Sequence, residues 1–269
     1  MKDMGEASYV IDIKIKRDRS QRILGLSQET YINKVLERFR MKDCSPGIAP
    51  IVKCDRFSLN QCLIGMLGRY QSNPSLEHWK AAKKVMRYLK GTKDYKLTCR
   101  RSNHLDVVGY SDSDFAGFID SRKSTSGYVF LLAGRAISWR SAKQTLVATS
   151  TIEAKFVSCF EATSQAIWLR SFISGLQVID SISKLLRIYY DNSTIVFLAK
   201  NNKSGSRNKH IDIKYLAIRE RVKSNKVAIE HISVGLMIVD PLTKGLSPKA
   251  YKEHVEHKRL NSVLKISCN

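Results

Sequence analysis

The stretch that decides the fold spans residues 105–132 and reads LDVVGYSDSDFAGFIDSRKSTSGYVFLL. Its first part, 105–113, is apolar and rich in β-branched and aromatic side chains, which predicts a strand. After a polar turn, residues 127–134 predict the returning strand of a hairpin. Asp112 and Asp114 fall at the end of the first strand. Burying these acids costs free energy unless a positive group meets them, and that group is either a divalent cation or a structural lysine or arginine.

Beyond the hairpin, stretches of strand character alternate with helical patterns. We expect, in chain order, strands at 105–113, 127–133 and 135–140, a helix at 150–174, a strand at 185–190, helices at 192–201 and 210–224, a strand at 226–232 and a helix at 237–245. Strands that come first and then alternate with helices indicate a mixed sheet with helices packed on it.

Four acidic residues lie at the ends of these elements, where a sheet edge can bring side chains together. They are Asp112 at the end of the first strand, Glu153 in the first turn of the long helix, Asp191 at the end of the fourth strand and Asp240 at the start of the last helix. Clustered carboxylates repel one another, which raises their pKa values and favours recruitment of Mg²⁺. Two such ions about 4 Å apart can activate a water molecule and stabilise the leaving oxygen in phosphodiester cleavage.

The composition indicates a globular protein with a large positive charge. Hydrophobic residues make up 43% of the chain and charged residues 26%, as in ordinary folded domains. The 46 Lys and Arg residues outnumber the 24 Asp and Glu residues, so the net charge is +22, and the excess is spread along the chain. Because basic side chains neutralise phosphates and release their counter-ions, this charge favours a nucleic-acid partner. Solubility alone, or a disordered basic protein, is the alternative explanation.

Cysteine spacing and hydropathy argue against several other classes of protein. The six cysteines contain no C-x-x-C pair, which argues against a zinc knuckle or a disulfide scaffold and for reduced thiols in an intracellular protein. The first residues, MKDMGEAS, lack the apolar core of a signal peptide. No apolar run approaches the roughly 20 residues that a membrane span needs.

The stretch 105–132 resembles the first strand pair of the ribonuclease H domain in copia-type retrotransposon polyproteins. The resemblance continues in order through GRAISWRSAKQTLVATSTIEAKFVS (134–158), IYYDNSTIVFLAKNN (188–202), NKHIDIKYLAIRERV (208–222) and IVDPLTKGL (238–246). It implies a ribonuclease H-like α/β fold, with a mixed five-stranded sheet and flanking helices. It also implies cleavage of RNA in RNA–DNA hybrids, with two Mg²⁺ ions, or Mn²⁺ in their place, as cofactors.

The same resemblance implies which residues are catalytic. The D-E-D-D set of metal ligands in the family falls on Asp112, Glu153, Asp191 and Asp240. Ribonucleases H often carry a histidine in a nearby loop that assists proton transfer, and His231 is our candidate for that role. A hydrogen-bonded histidine at a strand end is the alternative interpretation. We interpret Asp114 as a surface acid, because the family's ligand is the first acid of the pair.

The upstream residues resemble the end of a reverse transcriptase and its connection to the nuclease. We divide the chain into a small truncated reverse transcriptase thumb and connection remnant in two parts (1–62 with a hairpin, a helix and a linker, and 63–103 with the connection helix), the ribonuclease H-like domain (104–246) and a C-terminal tail (247–269). The YVDD-type metal motif of the polymerase is absent, so we expect no polymerase activity in this fragment.

Two further departures from the family pattern concern the nuclease and its connection. A segment that the family carries, ending near an RPDI-like motif, is missing between Cys62 and Leu63. In the nuclease, Lys155 stands where relatives carry an acid and Phe115 where they carry Trp, at positions that we interpret as lying outside the metal-ligand set. Such departures are typical of a truncated or decayed gene copy.

One upstream helix carries a row of basic side chains. Pro74 opens this helix and Gly91 closes it. The row, called the basic stripe below, consists of Lys80, Lys83, Lys84 and Arg87. It is either the solvated face of the helix or a face that follows the phosphates of a nucleic acid.

Three functions are compatible with these observations. The first is a Mg²⁺-dependent nuclease for RNA–DNA hybrids, located in the cytoplasm (in virus-like particles) or in the nucleus, with no membrane partner. The second is a catalytically inactive nucleic-acid-binding remnant with the same fold. The third, an integrase-like DNA strand-transfer enzyme, shares the fold class, but Glu153 on the helix after the third strand argues against it.

Overall fold

A computed structural model of the chain describes residues 6–49, 75–101, 106–117, 121–176, 185–201, 209–244 and 246–251. The predicted linker beyond residue 49 and the predicted tail beyond residue 251 lie outside the described residues. The described residues form two compact units. Residues up to 101 together with 246–251 form the first unit, and residues 106–244 form the second.

The first unit contains a four-stranded antiparallel sheet and two helices. Its elements are β1 (Tyr9–Val10), β2 (Ile13–Asp18), β3 (Ile23–Ser27), α1 (Glu29–Arg38), α2 (Leu76–Thr92) and β4 (Lys96–Arg100). The strands follow one another in the order β1-β2-β3-β4. A hairpin and two helices lie where the sequence predicts them, although α2 begins at Leu76 and still includes Gly91, the residue predicted to close it. The strand β4 was not predicted.

Pairing within the first unit joins segments that the sequence interpretation kept apart. β4 pairs with β3 in an antiparallel register that sets Leu24 opposite Cys99. The hydroxyl groups of Tyr88 on α2 and Tyr251 lie 3.0 Å apart, and their rings meet edge to face. Residues that we assigned to the segments 1–62, 63–103 and 247–269 therefore contribute to the same unit.

The second unit contains the predicted alternation of strands and helices. Its elements are β5 (Val107–Ser113), β6 (Thr125–Leu132), β7 (Arg135–Lys143), α3 (Thr151–Gly175), β8 (Leu186–Tyr190), α4 (Ser193–Lys200), α5 (Lys209–Lys223), β9 (Val227–His231), a 3-10 turn (Val234–Leu236) and α6 (Asp240–Thr243). The last helix is much shorter than the predicted 237–245 and begins three residues later, at Asp240.

The sheet of the second unit has the strand order β7-β6-β5-β8-β9. The strands β7, β6 and β5 are antiparallel neighbours, whereas β8 and β9 continue from β5 in parallel. This confirms the predicted ribonuclease H-like fold class, a mixed five-stranded sheet with flanking helices. The parallel strands place their carboxyl ends at one edge of the sheet, which is where Asp112 and Asp191 lie.

The core of this unit lies between the sheet and the helices α3, α4 and α5. Its most deeply buried apolar side chains include Phe130, Phe156, Ile188, Ile195, Ile218 and Ile229. The ring of Phe130 passes so close to β5 that a Cβ atom at Gly109 would lie 2.6 Å from it. A glycine on β5 therefore lets a neighbouring strand fill the core with a large ring.

Two polar caps fix where the helices begin beside the strand ends. Ser150 accepts a hydrogen bond from the amide of Glu153 at the start of α3, and Asn192 accepts from the amides of Thr194 and Ile195 at the start of α4. Among the helices in the described ranges, none combines the length and the apolar character that crossing a bilayer requires.

Candidate functional site

The parallel pairing of β5 with β8 brings two of the predicted acids side by side. In this register Tyr110 lies opposite Tyr189, and their rings are 5.5 Å apart. Asp112 and Asp191 each follow two residues later along strands that run in the same direction. Their carboxylates therefore emerge at the same edge of the sheet.

The short helix α6 brings Asp240 to the same edge. It lies against β6 at Gly127, the residue paired with Asp112, so closely that a Cβ atom there would be 2.5 Å from the side chain of Thr243. The hydroxyl group of Ser141 on β7 donates to the carbonyl oxygen of Leu242 across 2.6 Å, which also holds α6 in place.

Lys155 of α3 lies between Asp112 and Asp191. Its Nζ atom is 2.9 Å from Oδ1 of Asp112 and 2.5 Å from Oδ1 of Asp191. The exposed fractions of the three side chains are 12% for Lys155, 0% for Asp112 and 9% for Asp191. We interpreted position 155 as lying outside the metal-ligand set, and the structure holds its side chain between two of the predicted ligands.

Lys244, directly after α6, supplies a second ammonium group. Its Nζ atom is 2.9 Å from Oδ2 of Asp112 and 3.1 Å from Oδ1 of Asp240. Thr243 donates from Oγ1 to the same Oδ2 of Asp112 across 3.2 Å. Burial alone would lower the pKa of Lys244, but the charges and hydrogen bonds of Asp112 and Asp240 outweigh it and raise that pKa. We call Asp112, Asp191 and Asp240, with Lys155 and Lys244, the carboxylate centre.

Glu153, the predicted fourth ligand, has its carboxylate elsewhere. Its Oε2 atom accepts hydrogen bonds from the amide of Thr149 at 2.8 Å and from the Thr149 hydroxyl group at 2.7 Å. This is a capping arrangement at the start of α3. The physical reason is helical rotation, since residues two apart on a helix do not share a face and Lys155 takes the face toward Asp112.

Asp114 is held by the hairpin that follows it. Its Oδ1 atom accepts a hydrogen bond from the backbone amide of Thr125. Burial raises the pKa of Asp114 to about 6, helped by the charge of Asp112 and opposed by the hydrogen bond from Thr125. Asp114 is thus half-buried in the structure, and not the freely exposed acid that we expected.

The remaining predicted residues lie outside the carboxylate centre. His231 ends β9 opposite Tyr190, with an exposed side chain, and its role in proton transfer stays a prediction. The basic stripe lies on α2 in the first unit, where Lys80, Lys83 and Arg87 are exposed and Lys84 is half-buried. Lys83 lies over the ring of Trp79, 5.4 Å from its centroid.

The donor set of the centre does not fit two Mg²⁺ ions. Mg²⁺ requires oxygen ligands whose negative charge is not already compensated, yet an ammonium group bridges each pair of carboxylates that share Asp112. Within the carboxylate centre three carboxylates face two ammonium groups, which leaves one net negative charge, and Asp114 outside it interacts electrostatically with Asp112 and Lys244. Within the described ranges, no group of three or more acidic, histidine or cysteine side chains is arranged to hold a metal ion.

Sequence reasoning missed the two lysines, although the sequence carried a signal for each of them. Lys155 precedes Ser158 by three residues, and both contact Asp112 from one helix face. Lys244 follows Asp240 by four residues in the segment IVDPLTKGL, a spacing that favours an acid–base pair. Of the positive partners considered for Asp112, a divalent cation or a structural lysine or arginine, two lysines contact it in the structure.

Comparison with known proteins places the chain among retrotransposon proteins. No family model matches it. It is 36% identical over 279 aligned positions to the retrovirus-related Pol polyprotein from transposon TNT 1-94 of Nicotiana tabacum, covering 91% of this chain and 21% of the relative. It is 30% identical to the corresponding polyprotein from transposon RE2 of Arabidopsis thaliana, covering 94% of this chain and 19% of the relative.

Among solved structures, LC11-RNase H1 in complex with an RNA/DNA hybrid is 17% identical, with a TM-score of 0.38, and the match covers 54% of this chain and 99% of that one. That score is low, and the family assignment rests on the sequence relatives and on the strand order. The chain spans about a fifth of the length of those relatives. Its second unit has a ribonuclease H-like fold, and the chain belongs to the family of retrovirus-related Pol polyproteins of copia-type retrotransposons.

Proposed function

We propose that the second unit is a nucleic-acid-binding ribonuclease H-type domain that holds an RNA–DNA hybrid without cleaving it. The observation that carries this proposal is the position of Lys155, whose ammonium group lies 2.9 Å from Asp112 and 2.5 Å from Asp191. Cleavage by two metal ions needs carboxylates that are free to coordinate them. Here each of the three carboxylates already contacts an ammonium group of the chain itself.

Binding is supported by charge. The chain carries a net charge of +22, and each basic side chain that meets a phosphate releases condensed counter-ions. The carboxylate centre adds only one net negative charge, so it opposes the approach of a phosphate backbone less than an unpaired acidic cluster would. The retrotransposon relationship supports RNA–DNA hybrids as the partner, and the cytoplasm or the nucleus as the place of action.

A second candidate, Mg²⁺- or Mn²⁺-dependent cleavage of the RNA strand, is favoured by the convergence of Asp112, Asp191 and Asp240 on Lys155 and Lys244. In that case the lysines would have to give way to the ions. This carries an energetic cost, because the ions would have to displace two ammonium groups that already compensate the charge of the fully buried Asp112.

One experiment separates the two candidates. A labelled RNA–DNA hybrid is incubated with the full chain in Mg²⁺ and in Mn²⁺, and binding is measured by fluorescence anisotropy on the same preparation. We expect salt-sensitive binding and no cleavage above that of the Asp191→Asn variant, which serves as the control for contaminating nucleases. Cleavage that Asp191→Asn abolishes would establish the second candidate, and absence of binding at low salt would contradict the first.

A further inference from the structure

The two lysines of the carboxylate centre occupy both oxygens of Asp112. Lys155 contacts Oδ1, while Lys244 and Thr243 contact Oδ2. Asp112 is fully buried, so this carboxylate has its positive partners in the chain and not in the solvent. A fully buried carboxylate needs such partners permanently, because its charge cannot be screened by water.

The position of Lys155 is fixed by the packing of α3 on β5. The hydroxyl group of Ser158, one helical turn later, donates to the carbonyl oxygen of Asp112 across 2.7 Å and lies 2.8 Å from the hydroxyl group of Ser111. All three residues are buried. Position 155 is therefore directed at the two carboxylates whichever side chain it carries.

The side chain at position 155 consequently decides the charge of the centre. Lysine there leaves three carboxylates against two ammonium groups. A glutamate there would give four carboxylates against one ammonium group. Because glutamate is the shorter side chain, it would also open a space between itself, Asp112 and Asp191, lined by oxygen atoms as Mg²⁺ and Mn²⁺ prefer.

We propose that Lys155 and Lys244 are permanent internal counter-ions that take the place of divalent cations. The domain therefore binds nucleic acid in the absence of divalent cations. Replacing Lys155 alone by an acidic side chain is expected to convert the carboxylate centre into a site that binds a divalent cation. The inference about nucleic acid rests on the proposed binding function, whereas the inference about the metal does not. The two are therefore tested by separate measurements.

The first measurement is Mn²⁺ binding to the full chain, in which the electron paramagnetic resonance signal of free Mn²⁺ reports how much of the ion remains unbound. The variants are Lys155→Glu and, as a matched control with the same change of charge in an exposed turn, Lys226→Glu. We expect Lys155→Glu to bind Mn²⁺ at least about tenfold more tightly than the wild type and the control do. Equal binding by Lys155→Glu and Lys226→Glu, or a strong Mn²⁺ site in the wild type, would overturn the proposal.

Folding of the variant is followed at the same time. The introduced carboxylate repels Asp112 and Asp191 in the absence of metal, so the melting temperature of Lys155→Glu in EDTA is expected to fall. Because an ion that binds only the folded state stabilises it, Mn²⁺ should raise that temperature again in Lys155→Glu and leave Lys226→Glu unchanged. No rise in Lys155→Glu counts against the proposal, even if the variant is largely unfolded in EDTA.

The second measurement is hybrid affinity in EDTA and in Mg²⁺ at constant ionic strength. The wild type should bind equally in both, within a factor of about two, whereas Lys155→Glu should bind about tenfold more weakly in EDTA and recover in Mg²⁺. Wild-type binding that depends on Mg²⁺ would overturn this inference while leaving the binding function in place. Failure of the wild type to bind the hybrid under any condition would instead overturn the proposed function, and the Mn²⁺ titration would still decide the role of Lys155.

Discussion

The hydroxyl group of Ser158 donates a hydrogen bond to the backbone carbonyl oxygen of Asp112 across 2.7 Å. This hydrogen bond fixes the rotation of α3 relative to β5. Residues three apart on a helix share a face, so Lys155 follows Ser158 toward Asp112. Glu153 is five residues from Ser158, which turns its side chain away from that face. A single buried hydrogen bond thus determines which of two charged residues enters the carboxylate centre.

Replacement of Lys155 by a neutral side chain should strongly destabilise the second unit. Lys155→Met leaves Asp112 and Asp191 without this shared partner, and removing one member of a buried ion pair typically costs about 3–5 kcal/mol. Urea unfolding at neutral pH measures the change, with Lys226→Met as the exposed control. Combining Lys155→Met with Asp191→Asn should cost less than the sum of the two single changes. A destabilisation no larger than that of Lys226→Met would show that the bridge contributes nothing.

Glu153 should act on stability and leave function unchanged. Glu153→Ala removes the acceptor for the amide and hydroxyl groups of Thr149 and should lower the free energy of unfolding by about 1 kcal/mol. Glu153→Gln keeps an acceptor oxygen and should be destabilised much less. Neither change should alter hybrid affinity or Mn²⁺ binding. A change of Mn²⁺ binding in Glu153→Gln would return this residue to the ligand set that the family resemblance implies.

Asp114 should make the protein less stable as the pH rises. Burial raises the pKa of Asp114 from 3.8 to about 6, so the folded state binds this proton more tightly than the unfolded state does. Stability then decreases as the pH rises through that interval. Asp114→Asn cannot ionise, and its amide oxygen can still accept from Thr125. Relative to the wild type, the free energy of unfolding of the variant should therefore increase between about pH 4 and pH 6 and level off above. A difference that stays constant across this range would contradict the raised pKa.

The basic stripe should contribute to nucleic-acid affinity without regard to sequence. Changing Lys80, Lys83, Lys84 and Arg87 to alanine should flatten the plot of log K against log salt concentration, by about 0.9 for each phosphate that the stripe neutralises in the wild type. The affinities for two hybrids of different sequence should fall by the same factor. An unchanged slope would identify the stripe as the solvated face of α2.

The fold of the second unit could be predicted because its signals are local. The apolar run before Asp112 and the returning run to Leu132 are readable residue by residue. β4 was missed for the opposite reason. Its five residues, Lys96–Arg100, alternate between polar and apolar side chains, but the run is too short to be decisive by itself, and what makes it a strand is the pairing with β3. The alternation within such a short run does not show which distant segment it pairs with.

For the carboxylate centre, the sequence predicted which acids end each strand, and Asp112, Asp191 and Asp240 come together as expected. It could not predict the rotation of α3, which depends on buried hydrogen bonds such as the one between Ser111 and Ser158. Because that rotation was not known, we interpreted Lys155 as a departure from the family pattern outside the metal-ligand set. The prediction for Glu153 did not consider that Glu153 and Lys155 lie on different faces of α3, so that only one of them can face Asp112.

The pairing of Tyr88 with Tyr251, together with that of β3 with β4, has a consequence for synthesis on the ribosome. Chains emerge from the amino terminus and fold as they emerge. The edge of β3 stays unpaired until residues 96–100 have left the ribosome, and an unpaired edge invites association with other chains. Tyr251 emerges later still, after every described residue of the second unit. During synthesis, therefore, all described residues of the second unit are available before the last residues of the first unit. A nascent chain can complete its second unit before its first.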